Sequence, residues 1–260
     1  MMHSPKVTSR TLVVSNYCTS LDWLEEYHEY VSPENTIIYS RTPEKYGEDY
    51  SHLGTYLKSP NVGENIYDIL RYIVENYDNL SDMTVFIKGN LFSRNKAATH
   101  NHPKPGEPYE IDEFYYTTRE NYVKALTATE YYPITRYHPS SLTPEGTLFT
   151  QHILYGNFAL HGSAGCKYFG DFYEISDTFF VNPPKRMTIS FPPGANYAVP
   201  RDTIRKYSKK FYQNLFKSVS WVPAPPAIST SGEAFLCERF LHYVWTEDLQ
   251  EKTKYSKSII

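Results

Sequence analysis

The first 90 residues alternate short apolar runs with longer amphipathic ones, and this order restricts the possible folds more than any other feature of the chain. The runs at 11–15, 35–39 and 84–88 are short and rich in β-branched residues, as buried strands are. Those at 21–30 and 66–77 have the spacing of amphipathic helices. Strands that alternate with helices form parallel sheets joined by right-handed crossovers. We therefore predict an α/β fold, a single domain with a mostly parallel central sheet flanked by helices.

Composition divides the remainder of the chain into three parts. Residues 91–187 are dominated by polar and Pro-containing stretches and are predicted to be loop-rich. Residues 188–245 return to apolar periodicity, and residues 246–260 form a charged tail. The further expected elements are a loop at 47–58, a helix at 119–128, short strands within 149–160 and 168–181, a strand at 188–191, and helices at 202–219 and 233–245.

Charge and cysteine content argue against several classes of protein. The 26 basic and 29 acidic residues provide no positive footprint for nucleic acid or for an anionic membrane surface. The three cysteines are odd in number and far apart, which argues against a disulfide framework and for a reducing compartment. No run approaches the roughly 20 apolar residues that cross a bilayer, and the N-terminal segment lacks the apolar core of a secretory signal. We expect a cytoplasmic protein without a membrane span or a nucleic-acid partner.

Several short segments follow one another in an order that is typical of one family. They are Leu21-Asp22-Trp23-Leu24, Asn61-Val62-Gly63, residues 75–80 (ENYDNL), residues 83–87 (MTVFI), residues 194–201 (GANYAVPR), Phe211-Tyr212 and residues 232–239 (GEAFLCER). Together they resemble a family of uncharacterised function that is related to nucleotide-sugar glycosyltransferases of the A fold. The resemblance covers the first 90 residues and roughly residues 188–245.

The resemblance implies a GT-A-like domain that moves a hexose or similar sugar from a nucleotide diphosphate donor to a glycan hydroxyl. Residues 1–90 would form the half that binds a UDP- or GDP-sugar, and residues 188–245 the half that binds the glycan acceptor. Two other classes stay open. One is a non-catalytic carbohydrate-binding module, in which some of the 25 tyrosines would provide stacking faces. The other is a metal-dependent hydrolase built on His100 and His102.

The donor-binding residues are expected in loops at the carboxyl ends of the strands, where open α/β sheets form their ligand crevice. Gly63 would allow close approach of the backbone, and the amides of Asn61 and Asn65 would bond hydroxyl groups of the sugar or ribose. A capped loop-to-helix turn without a ligand would use the same residues. The full donor-binding set is Asn16, Tyr17, Asn61, Gly63, Asn65, Lys88, Asn90 and Arg94.

On the acceptor side, the resemblance implies binding by Asn196 and Arg201 and a catalytic base at Glu233, the acidic residue at the start of the last helix. In the A fold an inverting enzyme uses such a carboxylate to deprotonate the acceptor hydroxyl. The alternative is a first-turn glutamate that only complements the helix dipole.

The metal ligands of many A-fold enzymes are missing from their usual place. Those enzymes hold a divalent cation on an Asp-any-Asp pair, where this chain has Lys88-Gly89-Asn90. Manganese or magnesium would need oxygen ligands from elsewhere, and the candidates by residue type are Glu110, Asp112 and Asp171. Without a metal, Lys88 or Arg94 would neutralise the leaving diphosphate. No cofactor is therefore assigned from the sequence.

Overall fold

The computed structural model describes residues 7–41, 49–92, 113–139, 148–152, 165–221 and 231–260. Within them the strands are β1 (Arg10–Asn16), β2 (Thr36–Ser40), β3 (Thr55–Lys58), β4 (Met83–Lys88), β5 (Glu113–Tyr116), β6 (Tyr132–Pro133), β7 (Arg136–Pro139), β8 (Phe149–His152), β9 (Thr188–Phe191) and β10 (Tyr197–Pro200). The α-helices are α1 (Glu64–Asn76), α2 (Arg119–Thr127), α3 (Phe172–Phe179), α4 (Arg201–Arg205), α5 (Lys209–Val219) and α6 (Gly232–Thr246). None of these described helices has the length and apolar character needed to cross a membrane. Short 3-10 helices occupy Asp22–Tyr27, Pro33–Asn35, Ser51–Leu53 and Tyr77–Asn79, so the segment predicted as a helix at 21–30 is a shorter 3-10 helix.

Six strands form the central sheet, in the order β3-β2-β1-β4-β10-β6. The first four in this order run parallel to one another, and β10 runs antiparallel to both of its neighbours. Two antiparallel pairs, β5 with β7 and β8 with β9, lie outside this sheet. The predicted α/β fold with a mostly parallel central sheet is therefore confirmed.

The order of the strands reverses beside β1. From β1 the chain proceeds outward to β2 and β3, and α1 then returns it to β4 on the other side of β1. In open α/β sheets such a reversal leaves a crevice outside the carboxyl ends of the two strands. The topology thereby creates room for a ligand site at the ends of β1 and β4.

Alternate residues of the strands enter two hydrophobic cores, one on each face of the sheet. In β4, Phe86 joins a core formed with α1, α3, α5 and α6, whereas Val85 and Ile87 join the core on the other face. All three side chains are buried. Truncation of a buried phenylalanine to alanine typically costs about 3–5 kcal/mol. Burial on both faces explains why β4 reads as a continuous apolar run rather than as an alternating one.

The sequence predicts short strands within 168–181, but the structure has helix α3 there. Asp171 caps this helix, because its Oδ1 accepts a hydrogen bond from the Glu174 amide at 2.8 Å. The Glu174 carboxylate in turn accepts a hydrogen bond from the Gly170 amide at 2.6 Å. The buried apolar residues of α3 recur at helical spacing. Reciprocal capping and this spacing outweigh the strand propensity of the aromatic residues.

Two other predicted elements differ in their bounds. The expected loop at 47–58 contains the edge strand β3, whose side chains are only partly buried and therefore leave a weak apolar pattern. The expected helix at 202–219 is divided into α4 and α5. The division occurs because Ser208 begins a new helix by accepting a hydrogen bond from the Phe211 amide at 3.2 Å.

The sequence patterns predict no strand at the position of β10. Strand β10 is buried because it lies between β4 and the edge strand β6. The turn that leads into it contains Gly194 and Ala195, whose φ angles are 84° and 52°. The local sequence therefore favours a turn. Residues 197–200 form a strand because they pair with the distant strands β4 and β6.

Candidate functional site

A cleft runs along the carboxyl edge of the parallel strands and consists of two adjoining cavities. The strand-end cavity has a volume of about 270 Å³ and lies at the ends of β1, β2 and β4. The α6 cavity has a volume of about 280 Å³ and lies between α6 and the turn before β10. Glu64, Asn65 and Lys88 line both cavities, so the two cavities meet at these residues. The cleft occupies the crevice that the reversal of strand order creates.

Five of the eight predicted donor-binding residues line the strand-end cavity. They are Tyr17, Asn61, Asn65, Lys88 and Asn90. The Tyr17 side chain is 55% exposed, so its ring is open to a ligand. Of the other three, Asn16 and Gly63 adjoin the cavity without lining it, and Arg94 lies outside the described residues.

Asn16 supports the turn that carries Tyr17. It is buried, and its Nδ2 donates a hydrogen bond to the carbonyl oxygen of Thr19 at 3.0 Å. Its Oδ1 lies so close to Gly89 that a Cβ atom at that position would approach it to 2.5 Å. The ends of β1 and β4 can therefore pack this closely only with glycine after Lys88.

The start of α1 brings backbone amides to the cleft. Gly63 has a φ angle of 60°, and a Cβ atom there would lie 2.6 Å from the carbonyl oxygen of Val219 at the end of α5. The first-turn amides of a helix have no intrahelical acceptor. Here they belong to Glu64, Asn65 and Ile66, which line the α6 cavity. A helix that begins beside a cavity favours an anionic group of a ligand.

Two buried amide side chains hold the wall of the cleft. Asn65 donates from Nδ2 to the carbonyl oxygens of Gly194 at 3.0 Å and Ala195 at 3.1 Å, which joins α1 to the turn before β10. The Oδ1 atom of Asn196 accepts a hydrogen bond from the Lys88 amide at 2.8 Å, and its Nδ2 donates one to a buried threonine hydroxyl at 2.8 Å. Asn196, predicted to bind the acceptor, therefore supports Lys88 and lines neither cavity.

A buried ion pair that the sequence analysis did not identify lies beside the strand-end cavity. Arg41 lines this cavity, and its Nε and Nη2 donate to Oδ2 of Asp68 at 3.3 and 3.0 Å. The other oxygen of Asp68 accepts a hydrogen bond from the Ser59 hydroxyl at 2.5 Å. Burial raises the pKa of Asp68, while Arg41 and the hydroxyls of Ser59 and Ser15 act in the opposite direction. An aspartate within the apolar stripe of α1 is the sequence signal that could have revealed the pair.

Glu233, predicted to be the catalytic base, lies outside both cavities and is fully buried. Its Oε1 accepts hydrogen bonds from the amides of Lys167 at 2.5 Å and Tyr168 at 2.6 Å. Its Oε2 accepts a hydrogen bond from the indole of Trp221 at 3.0 Å. The carboxylate thus connects the segment before α3 to the start of α6. The structure therefore places the predicted base away from both cavities.

The residues of α6 that face the cleft lie further along the helix. Glu238 and Arg239 line the α6 cavity together with Phe191 and Phe235. The Arg239 guanidinium lies 4.6 Å from the ring centre of Phe191, and its Nη1 lies 3.6 Å from Oε2 of Glu238. The other oxygen of Glu238 accepts the Gly194 amide. A carboxylate and a guanidinium beside aromatic rings suit a neutral ligand with many hydroxyl groups.

Arg201, also predicted to bind the acceptor, lies at the opposite edge of the sheet. Its amide donates to the carbonyl oxygen of Asp82 at 2.9 Å, and its guanidinium pairs with the Asp82 carboxylate at 3.0 Å. The neighbouring Pro200 is in register with Met83 at the first position of β4, whereas the cleft is at Lys88, the last. Five residues of strand span about 17 Å. Arg201 is therefore not part of the cleft.

The residues at the end of β4 do not fit a divalent cation. Lys88 and Asn90 stand where the resemblance implies two carboxylates, and hard cations prefer anionic oxygen ligands. Among the described residues, no three His, Cys, Asp or Glu side chains form a group that could hold a metal ion. Asp171 caps α3. The other residues considered for a metal or for its replacement, Arg94, His100, His102, Glu110 and Asp112, lie outside the described residues.

The cysteines lie outside the cleft and do not form disulfides. Cys18, Cys166 and Cys237 are all free thiols. Burial raises the pKa of Cys166 to about 12, with a further contribution from the Glu233 carboxylate. Cys166 is therefore unsuited to act as a thiolate nucleophile at neutral pH.

Comparisons with protein-family models, curated proteins and solved structures found no match for this chain. The resemblance to A-fold glycosyltransferases therefore stays a prediction. The functional argument depends on the sheet topology and on the residues of the cleft.

Proposed function

We propose that this chain is a glycosyltransferase that moves a hexose or similar sugar from a nucleotide diphosphate donor to a glycan hydroxyl. The observation that carries the proposal is the pair of cavities that meet at Glu64, Asn65 and Lys88 on the carboxyl edge of the sheet. A transfer between two substrates needs two adjoining sites with one shared reacting centre, because the reacting atoms must be held close together.

The strand-end cavity suits the donor, a uridine or guanosine diphosphate sugar. The exposed ring of Tyr17 provides a stacking face for the base. Arg41, held in one orientation by Asp68, and the amide of Asn61 provide polar contacts around it. Lys88 and the first-turn amides of α1 favour the diphosphate, where negative charge develops as the sugar leaves.

The α6 cavity suits the glycan acceptor. Glu238 and Arg239 offer an acceptor and several donors of hydrogen bonds, and Phe235 offers an apolar face for the CH groups of a sugar ring. A non-catalytic carbohydrate-binding module is less well supported. Of the tyrosines whose side chains the structure describes, only Tyr17 is exposed, whereas a stacking platform needs several accessible rings.

Nucleotide binding tests the proposal. UDP, GDP and the nucleosides uridine and guanosine are titrated by calorimetry against the wild type, Lys88→Ala and Lys124→Ala. We expect UDP or GDP to bind, and Lys88→Ala to weaken that binding about tenfold or more, because one charge-assisted contact is lost. Lys124 is the matched control, because it is an exposed lysine on α2 that pairs with Glu120 and lines neither cavity.

The control variant should bind the diphosphate as the wild type does, and nucleoside binding should be nearly the same in all three proteins. The proposal fails if neither diphosphate nor any nucleotide sugar binds at millimolar concentration. An equal effect of the two lysine substitutions would also contradict the assigned position of the diphosphate.

A further inference from the structure

Glu64 lies where the two cavities meet, and we propose that it is the base that deprotonates the acceptor hydroxyl. This inference rests on the proposed glycosyltransferase function. Among the carboxylates that the structure describes, Glu64 lines both cavities, whereas Glu238 lines the α6 cavity alone. A base must reach a hydroxyl held in one cavity while that hydroxyl attacks a sugar held in the other. The junction is the position that meets this requirement.

The backbone at Glu64 is strained. Its φ angle is 52°, directly after Gly63 at 60°. A glycine would adopt this conformation without strain, whereas a glutamate does so at a cost in free energy. A Cβ atom at Gly63 would lie 2.6 Å from the Val219 carbonyl oxygen, so the end of α5 packs closely against the residue before Glu64. Non-glycine residues held in such conformations concentrate at functional sites.

A role at the helix dipole alone does not account for this glutamate. An acidic residue anywhere in the first turn of α1 would complement the dipole. The next two positions are occupied by Asn65 and Ile66, neither of which has a positive φ angle. A carboxylate placed there would stabilise the helix without backbone strain. The carboxylate is instead at the strained position, and Glu64 lies with Asn65 at the junction of the two cavities.

The other carboxylates near α6 are engaged elsewhere. Glu233 is buried and accepts three hydrogen bonds outside the cleft. Glu238 accepts the Gly194 amide with one oxygen and faces Arg239 with the other. Glu238 thus holds the wall of the α6 cavity and lines that cavity alone, whereas Glu64 lines both cavities.

The reaction follows from this placement. The Glu64 carboxylate takes the proton of the acceptor hydroxyl while the hydroxyl oxygen forms a bond to the anomeric carbon. The bond between that carbon and the diphosphate oxygen breaks, and its electron pair leaves with the nucleoside diphosphate, whose charge Lys88 counters. Attack on the face opposite the leaving group inverts the configuration at the anomeric carbon.

The test measures release of UDP from UDP-glucose and of GDP from GDP-mannose, with water as the acceptor, in Glu64→Gln and the wild type. Glutamine keeps the shape of the side chain but cannot accept the proton. We expect turnover to fall by about 100-fold or more, while the Kd for the nucleotide diphosphate changes less than about twofold. Glu120→Gln is the control, because Glu120 is an exposed first-turn glutamate on α2 outside both cavities.

A second variant separates chemistry from folding. Glu64→Gly relieves the positive φ angle, so its melting temperature should equal or exceed that of the wild type, while turnover falls as far as in Glu64→Gln. Turnover of Glu64→Gln within threefold of the wild type overturns the base role and leaves the proposed function standing. A wild type that binds no nucleotide and releases none overturns the proposed function itself.

Discussion

The indole of Trp221 donates a partly buried hydrogen bond to the carboxylate of Glu233, with Nε1 3.0 Å from Oε2. The opposite carboxylate oxygen accepts the amides of Lys167 and Tyr168. One side chain thus joins the end of α5, the start of α6 and the segment before α3. This arrangement explains why a glutamate at the start of the last helix is turned away from the cleft.

Glu233→Gln should therefore lower stability without disturbing ligand binding. Both carboxylate oxygens accept hydrogen bonds, whereas a glutamine must direct its NH₂ group at one of the N–H donors. We expect a loss of about 1–3 kcal/mol in the free energy of unfolding, measured by urea denaturation. Nucleotide affinity at a permissive temperature should stay within about twofold of the wild type. An unchanged urea midpoint with a large loss of turnover would instead restore Glu233 as the base.

Two glycines with positive φ angles provide a matched pair. Gly63→Ala would place its methyl group 2.6 Å from the Val219 carbonyl oxygen, whereas Gly165→Ala would meet no described residue within 4 Å. Backbone strain alone should cost Gly165→Ala about 1 kcal/mol, and Gly63→Ala should lose about 3 kcal/mol or more. Equal urea midpoints for the two variants would contradict the close packing of α1 against α5.

Asp82 should contribute to the acid sensitivity of the fold. Hydrogen bonds from the Thr8 hydroxyl, the Thr8 amide and the Ser9 amide, together with the Arg201 charge, hold its pKa well below the ordinary value of 3.8. A carboxyl whose pKa is lower in the folded state stabilises the protein above its unfolded pKa, and this contribution is lost as the pH falls. The unfolding free energy of Asp82→Asn should therefore decline less than that of the wild type between about pH 6 and pH 2. Parallel pH curves for the two proteins would show that these hydrogen bonds do not act on Asp82.

Lys88 should matter more than a divalent cation for turnover. The end of β4 offers Lys88 and Asn90 rather than two carboxylates, so a fixed positive charge is expected to counter the leaving diphosphate. Lys88→Ala should lower nucleotide-sugar turnover by about 100-fold, and a chelator should change the wild-type rate less than about threefold. Complete loss of activity in chelator, restored by manganese, would show that metal ligands have been missed.

Much of the fold was readable from the sequence because the relevant signals are local. Strands β1 and β4 are buried on both faces of the sheet, and this environment requires the continuous apolar runs seen at 11–15 and 84–88. The apolar stripe of α1 reflects its packing on one face of the sheet. The same logic located most of the strand-end cavity. Parallel strands end at one edge, so polar residues just after β1 and β4, such as Tyr17 and Asn90, must lie near each other.

The tertiary structure alone decided the features that depend on distant partners. β10 follows a turn-like sequence and becomes a strand because β4 and β6 satisfy its backbone. Arg41 and Asp68 form a pair because the crossover of α1 brings the helix over the end of β2.

The direction of each glutamate side chain could likewise not be predicted from the sequence. The start of α6 was predicted, but its rotation depends on Trp221 and the segment at 165–168, and this rotation buries Glu233 while Glu238 lines the cleft. Periodicity determines which residues share a helix face, since that depends on local geometry. Packing against distant segments determines what each face meets, because those contacts join residues that no local pattern links.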